Sequence, residues 1–335
     1  MSNLAHLLQR YETHPKVISI LEQLNGSATS IRLQLDGLTG AQESFAIAAA
    51  IKRDASKPAR LHVVIASNKD EAAYRMNDLE GILGNAQVHF FPDSFKRPAA
   101  FEELNQTQIL QRSETVSNIS SPKQGDALVT YPEALFEKVV KPEILQESRI
   151  EVKKGERLDA DFMIQVLVEY GFQRADFVYE PGQFSVRGGI IDLFSFGNEL
   201  PYRIELFDDE VETLRTFDPL TQLSRQNLTS LHIIPNLNTR FERTQKASLL
   251  HVLPPNTVVW IRDIQFLVDR LQYCFERAEQ FATKVSTLDS AELRDIFRDR
   301  AFLYPAEILE DLASHPLLFL DGKLDQLRKN FPALF

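Results

Sequence analysis

The 335-residue chain has a single cysteine, Cys274, so no internal disulfide can brace it, and that usage fits a reducing cytoplasm. Tyr273 and Phe275 flank Cys274, the setting of a buried helix position rather than of a nucleophile. No apolar run approaches the roughly 20 residues of a membrane span, and the N-terminus lacks the apolar segment of a signal peptide. The seven histidines show no HxxxH or CxxC pairing, so neither a metal nor another cofactor is expected. Basic charge is short as well. With 37 Lys and Arg against 47 Asp and Glu the net charge is −10, which argues against non-specific nucleic-acid binding, a process that needs cations to neutralise phosphates. What remains is a globular composition, 44% apolar and 25% charged, in a chain long enough for two or three domains.

The best-punctuated stretch is 177–218, FVYEPGQFSVRGGIIDLFSFGNELPYRIELFDDEVETLRTFD. Phe184, Val186, Ile190 and Ile191 carry the apolar side chains of one strand pair, with turns at Glu180-Pro181-Gly182 and Gly197-Asn198. Another pair is bracketed by Ile204, Leu206, Val211 and Leu214 around Phe207-Asp208-Asp209-Glu210. Gly188-Gly189 weakens a strand unless a bulge or a close approach is wanted. The expectation is a small twisted antiparallel sheet with Arg187 beside a bulge and Arg203 on the neighbouring run. Two arginines on a rigid sheet in an acidic protein form either a contact surface or ordinary surface ion pairs with the nearby carboxylates. The cluster Asp208, Asp209, Glu210 and Glu212 reads as a solvated turn, because its carboxylates are adjacent and no third ligand element accompanies them.

The runs FSVRGGIIDLFSFG and PYRIELFDDEVETLRTFDP resemble the second domain of bacterial transcription-repair coupling factors. That domain is similar in turn to the UvrA-binding domain of the excision-repair helicase UvrB. The resemblance implies UvrA as partner. UvrB holds it with an arginine in its FxVRG run and an Arg-x-Glu pair in the next strand, and Arg187, Arg203 and Glu205 match those positions. Arg174 and Phe194 are placed nearby by the resemblance alone, and Ser185 stands where UvrB carries a further arginine. Alternation puts Arg203 and Glu205 on one face of their strand, so Glu205 is expected to orient Arg203 or to meet a partner cation. Sign reversal at Arg187 or Arg203 is expected to abolish UvrA binding with unchanged thermal stability.

The N-terminal part reads as one or two amphipathic helices over 1–24, a strand Ile31 to Leu35, a glycine turn, and an alanine-rich helix from Phe45 to about Arg53. Strand, turn and helix is the context of a phosphate-binding loop. Set beside the loops of UvrB-like helicases, Gly37, Thr39 and Gly40 fall into place. The next glycine is replaced by Gln42 and the phosphate-binding lysine by Glu43, while Ser44 keeps the magnesium-binding hydroxyl. A carboxylate in place of an ammonium turns an attraction of about 4 kcal/mol, at ~4 Å and an effective dielectric near 20, into repulsion. A degenerate loop kept for its fold is therefore expected, with no catalytic residue.

The later segments extend the likeness. Leu61 to Ala66 reads as a strand, Ser67-Asn68-Lys69 as a turn into a helix through Leu79, Gln87 to Phe91 as a strand, and Asp126 to Thr130 as another. The residues between Pro98 and that last strand leave no room for an aromatic-tipped, DNA-clamping hairpin of the UvrB kind. Tyr131-Pro132-Glu133 opens a helix to Val140. Ser230 to Pro235 reads as a strand, followed by a helix through Leu250. Thr257 to Ile261 is a buried-type strand with Trp260 in the core, followed by Arg262-Asp263 where a helicase carries its acidic pair. Long helices are expected over Phe266–Val285 and Leu293–Phe297, and a last strand over Pro316–Asp321.

The fold class expected is α/β: a degenerate P-loop, RecA-like domain split into 1–141 and 223–335 by an inserted α+β domain at 142–222. The resemblance implies a non-catalytic adaptor that recruits UvrA of nucleotide excision repair to lesion-stalled RNA polymerase. The parent protein would be an ATP-dependent DNA translocase, touching polymerase and DNA through regions outside this chain. An active helicase and a direct DNA-binding module are the competing classes.

Overall fold

Four strands, His62–Ile65, Ala127–Thr130, Val258–Ile261 and Leu317–Phe319, are buried along their whole length, in keeping with their apolar sequences. With Arg32–Gln34 and Val88–Phe90 at the edges they form a six-stranded sheet in which every pair is parallel. Its order is 32–34, 317–319, 258–261, 62–65, 127–130, 88–90. A parallel sheet needs both faces covered, which is why its central strands read as unbroken apolar runs instead of alternating ones. The computed structural model describes residues 3–26, 31–84, 87–196, 198, 200–235, 243–284, 297 and 302–335. By internal contacts the chain divides into two units. One comprises Met1–Val139, Ala247–Thr287 and Ala301–Phe335, and the other is built on Val140–Lys246.

In the first unit the helix Ala41–Arg53 buries Ala46 to Ile51, and its run of alanines lets it pack closely. Asn68 caps the helix Lys69–Leu83 by accepting from the Glu71 N–H at 2.9 Å, and Asp263 caps Ile264–Ala282 through the Phe266 N–H at 3.0 Å. Trp260 is in the core, its indole N–H donating to His62 Nδ1 at 3.1 Å. Cys274 is buried on its helix, and burial pushes its thiol up to about 12, so it is no nucleophile at neutral pH. Residues 98–126 hold the helix Gln106–Ile119 and, among the described residues, no strand. Phe101 of that segment is buried and meets Phe95, just before it, edge to face, so the aromatic of this stretch faces inward.

The second unit carries a six-stranded sheet in the order Ser224–Leu228, Glu210–Phe217, Tyr202–Phe207, Ile190–Leu193, Gln183–Arg187, Gln173–Arg174, antiparallel except for the last pair. Asp159 caps the helix Ala160–Glu169 by accepting from the N–H groups of Asp161 and Phe162. A separate pair joins Ile150–Lys153 to Ser230–Ile233. Strands at 224–228 and 230–233 thus carry this unit beyond position 222. They complete hydrogen bonding that Glu210–Phe217 and Ile150–Lys153 would otherwise leave open.

Several elements depart from the sequence reading. Gly188-Gly189 is a two-residue hairpin turn with Arg187 opposite Ile190, not a bulge. The bulge lies one strand over, between Glu205 and Leu206. The close approach is there: a Cβ on Gly189 would stand 2.7 Å from the Leu206 carbonyl oxygen, which explains the second glycine. The helix after Pro132 stops at Phe136, and Val139–Val140 is extended. No helix runs to Leu250 over the described residues. Residues 243–252 form a 3₁₀ turn, a two-residue strand and the four-residue helix Leu249–Val252 capped by Ser248. Residues 236–242, and 293–296 of the expected helix Leu293–Phe297, lie outside the described residues.

Candidate functional site

Two places carry the chemistry singled out by sequence. The first is at the C-terminal ends of the parallel strands, where open α/β sheets bind ligands. Gly37 and Gly40 both adopt positive φ and shape the turn that leads from Arg32–Gln34 into the helix. Gln42 folds its side chain back, so that its Oε1 accepts from the Thr39 N–H at 3.0 Å and from Thr39 Oγ1 at 3.2 Å. One backbone donor of the loop is therefore already occupied by the chain itself.

Glu43 is 0% exposed and lies between two cations. Arg75 Nη2 donates to its Oε2 at 2.7 Å, and Arg262 Nη2 donates to Oε1 in a very short contact. Ser44 Oγ donates to Asp78 at 2.6 Å and accepts from Arg75 Nη1 at 2.8 Å. On the sequence reading, position 43 takes the place of a helicase loop lysine and position 262 the place where its acidic pair would begin. Here the two signs are exchanged, and the groups are bonded to each other. Sequence showed each substitution singly, whereas their pairing, and the part of Arg75, emerge only from the fold.

The second place is the polar face of the antiparallel sheet. Register sets Ser185, Asp192, Arg203, Arg215 and Asn227 directly opposite one another across five strands. The next row on that face holds Arg187, Ile190, Glu205 and Thr213. Asp192 is 0% exposed and serves both arginines of the sequence reading. Arg203 donates from Nε to Oδ1 at 2.7 Å and from Nη2 to Oδ2 at 2.8 Å, and Arg187 donates from Nη2 to Oδ2 at 2.5 Å. These charge-assisted bonds hold the Arg203 pKa above its ordinary value. Arg187 also donates to the Asp176 carbonyl at 3.1 Å and packs over the Phe177 ring, while Arg203 packs over Phe217.

The five sequence-predicted partner residues are thus placed differently. Arg187 is 38% exposed, and Arg203 only 14%. Glu205 does not orient Arg203: it accepts from Thr213 Oγ1 at 2.7 Å and from Arg215. The reason is the cross-strand partner, because Asp192 lies directly opposite Arg203 while Thr213 lies opposite Glu205. Arg174 is exposed on the edge strand. Phe194 is 6% exposed and packs with Val178 and Phe217 beneath the sheet's rim. Ser185 is buried and donates to the Asp176 carbonyl at 2.9 Å. Asp192, Thr213, Arg215 and Phe177 were missed by sequence reasoning. Period-two alternation from Arg203 would have marked Arg215 and Asp192 once the strand register was known. Among the described residues no His, Cys, Asp and Glu group of three or more is set to hold a metal ion.

Residues 150–238, which include this entire face, match the UvrB interaction domain. A transcription-repair-coupling factor of Bacillus subtilis is 26% identical over 309 residues, 89% of this chain and 25% of that protein. The chain is homologous to the coupling factors and to UvrB. The Haemophilus influenzae coupling factor is 30% identical over 172 residues, 51% of this chain and 15% of that protein. UvrABC system protein B of Vibrio parahaemolyticus is 27% identical over 240 residues, 68% of this chain and 35% of that protein. The chain therefore spans about a quarter of the Bacillus subtilis factor and about a third of the UvrB relative. No helix among the described residues is long and apolar enough to cross a membrane.

Proposed function

We propose that this chain is a non-catalytic, UvrB-like adaptor that recruits UvrA to a lesion-stalled RNA polymerase in the cytoplasm. On this reading it is part of a longer coupling factor whose other regions translocate on DNA with ATP and contact polymerase. The observation that carries the reading is the arginine face inside 150–238, where three guanidiniums are held by two carboxylates. Such a face has directional donors, is fixed by the sheet, and keeps an excess of positive charge in a chain of net charge −10. Arg187, with Arg174 at the edge, offers the accessible cations. Arg203 and Glu205 build the plane behind them, and Phe194 supports it from the core.

The same reading treats the parallel-sheet unit as a degenerate P-loop domain. A triphosphate entering beside Glu43 would meet a buried carboxylate, and its natural cations Arg75 and Arg262 are already neutralised. This weighs against the active-helicase alternative. Titration calorimetry of the full chain with purified UvrA, and separately with ATP and magnesium, tests both halves. UvrA is expected to bind, Arg187→Glu to abolish that binding, and ATP to give no heat at micromolar affinity. Unchanged UvrA binding in Arg187→Glu would remove the face from the mechanism.

A further inference from the structure

We propose that Asp192 is the positioning residue of the arginine face, holding Arg187 and Arg203 in the geometry that an acidic protein partner reads. The proposal rests on the adaptor reading above and adds the group that sets its specificity. Asp192 lies on Ile190–Leu193 between the two arginine-bearing strands, opposite Ser185 on one side and Arg203 on the other. It has no exposed surface, yet its two oxygens accept three bonds from two guanidiniums. A carboxylate so buried cannot leave its partners without a large penalty, so the partners are fixed by it in turn.

One carboxylate shared by two guanidiniums leaves a positive excess. The second pair, Glu205 with Arg215, is closed on itself and adds no net charge. Arg187 spends two of its five N–H groups, on the Asp176 carbonyl and on Asp192, and Phe177 fixes the plane of its guanidinium. The remaining donors belong to a half-exposed group of set orientation, which suits a bidentate bond to a partner carboxylate. Arg215 Nε is itself buried without a hydrogen-bond partner, so the face holds a second donor not used within the fold.

The alternative is that the arginines act as diffuse positive charge, and the two roles predict opposite signs. Asp192→Asn removes a negative charge from the face. Diffuse charge then predicts tighter binding of an acidic partner, whereas positioning predicts weaker binding. Calorimetry of the full chain against purified UvrA is the test, with the Nε–H resonance of Arg203 followed by NMR. The expected result is affinity at least about tenfold weaker in Asp192→Asn, with the exchange-protected Arg203 Nε–H signal lost. Asp192→Glu, which keeps the charge but displaces it by a methylene, is expected to weaken binding too, and carries the test if Asp192→Asn does not fold. Wild-type or tighter binding in the folded variant overturns the positioning role. If Arg187→Glu also binds as wild type, the adaptor reading of this face fails instead, and the two failures are distinct.

Discussion

A carboxylate at position 43 is a repulsive group to a phosphate and a necessary one to Arg75 and Arg262. Placing a lysine at position 43 by Glu43→Lys would set a third cation between two arginines at a position that is itself fully buried. The expected outcome is a loss of about 3–5 kcal/mol of stability and no gain of nucleotide binding. Thermal unfolding with and without ATP and magnesium checks it, and a nucleotide-dependent rise in Tm would contradict it. On the sheet face the structure separates two substitutions that the sequence treats alike. Arg187→Glu removes a half-exposed partner from Asp192, which keeps both of its bonds from Arg203, and a smaller loss of about 1.5–3 kcal/mol is expected. Arg203→Glu sets a second carboxylate against buried Asp192, and loss of about 3–5 kcal/mol is expected instead. Both should abolish UvrA binding. Equal unfolding midpoints for the two variants would show that Asp192 does not hold Arg203 as described.

Among the elements, the two adjacent central strands His62–Ile65 and Val258–Ile261 share a buried polar chain. Trp260 donates to His62 Nδ1, so the other ring nitrogen carries the proton and donates to Asp54 at 3.0 Å, beside Arg60. Burial lowers the His62 pKa despite the pull of Asp54. Burial would raise that of Asp54, but the hydrogen bond from the His62 N–H and the charge of Arg60 outweigh it and hold the group well below the usual carboxylate range. The sign for His62 follows. Its neutral form is favoured in the fold, so stability is full above about pH 6.5, where the unfolded ring titrates. It declines as pH falls below that value. Unfolding midpoints at pH 7.5 and 5 are expected to differ more in the wild type than in His62→Gln. An equal difference would mean that this ring contributes nothing to the pH dependence.

For the whole molecule, the question is where one folding unit ends. The sequence reading ends the inserted domain at 222, whereas the strand pairs of that unit run on to Ile233. A fragment 142–222 lacks Ser224–Leu228 and Ser230–Ile233, and so leaves Ile150–Lys153 without a partner. A fragment 140–246 is expected to unfold cooperatively in urea, and 142–222 to unfold at lower urea or without cooperativity. Equal midpoints would show that the shorter boundary suffices.

What the sequence determined by itself is local. Unbroken apolar runs such as VVWI mark covered parallel strands, and alternation with turn residues marks the antiparallel sheet. Asn68 marks a helix start, and Glu43 alone weighs against a phosphate site. The tertiary structure decided what depends on register and on distant partners. Nothing in a linear reading says that Arg262 reaches back 219 residues to Glu43, or that Asp192 rather than Glu205 holds Arg203. Those choices follow from which strands lie side by side, since a buried charge must be met by whatever opposite charge the fold brings within reach.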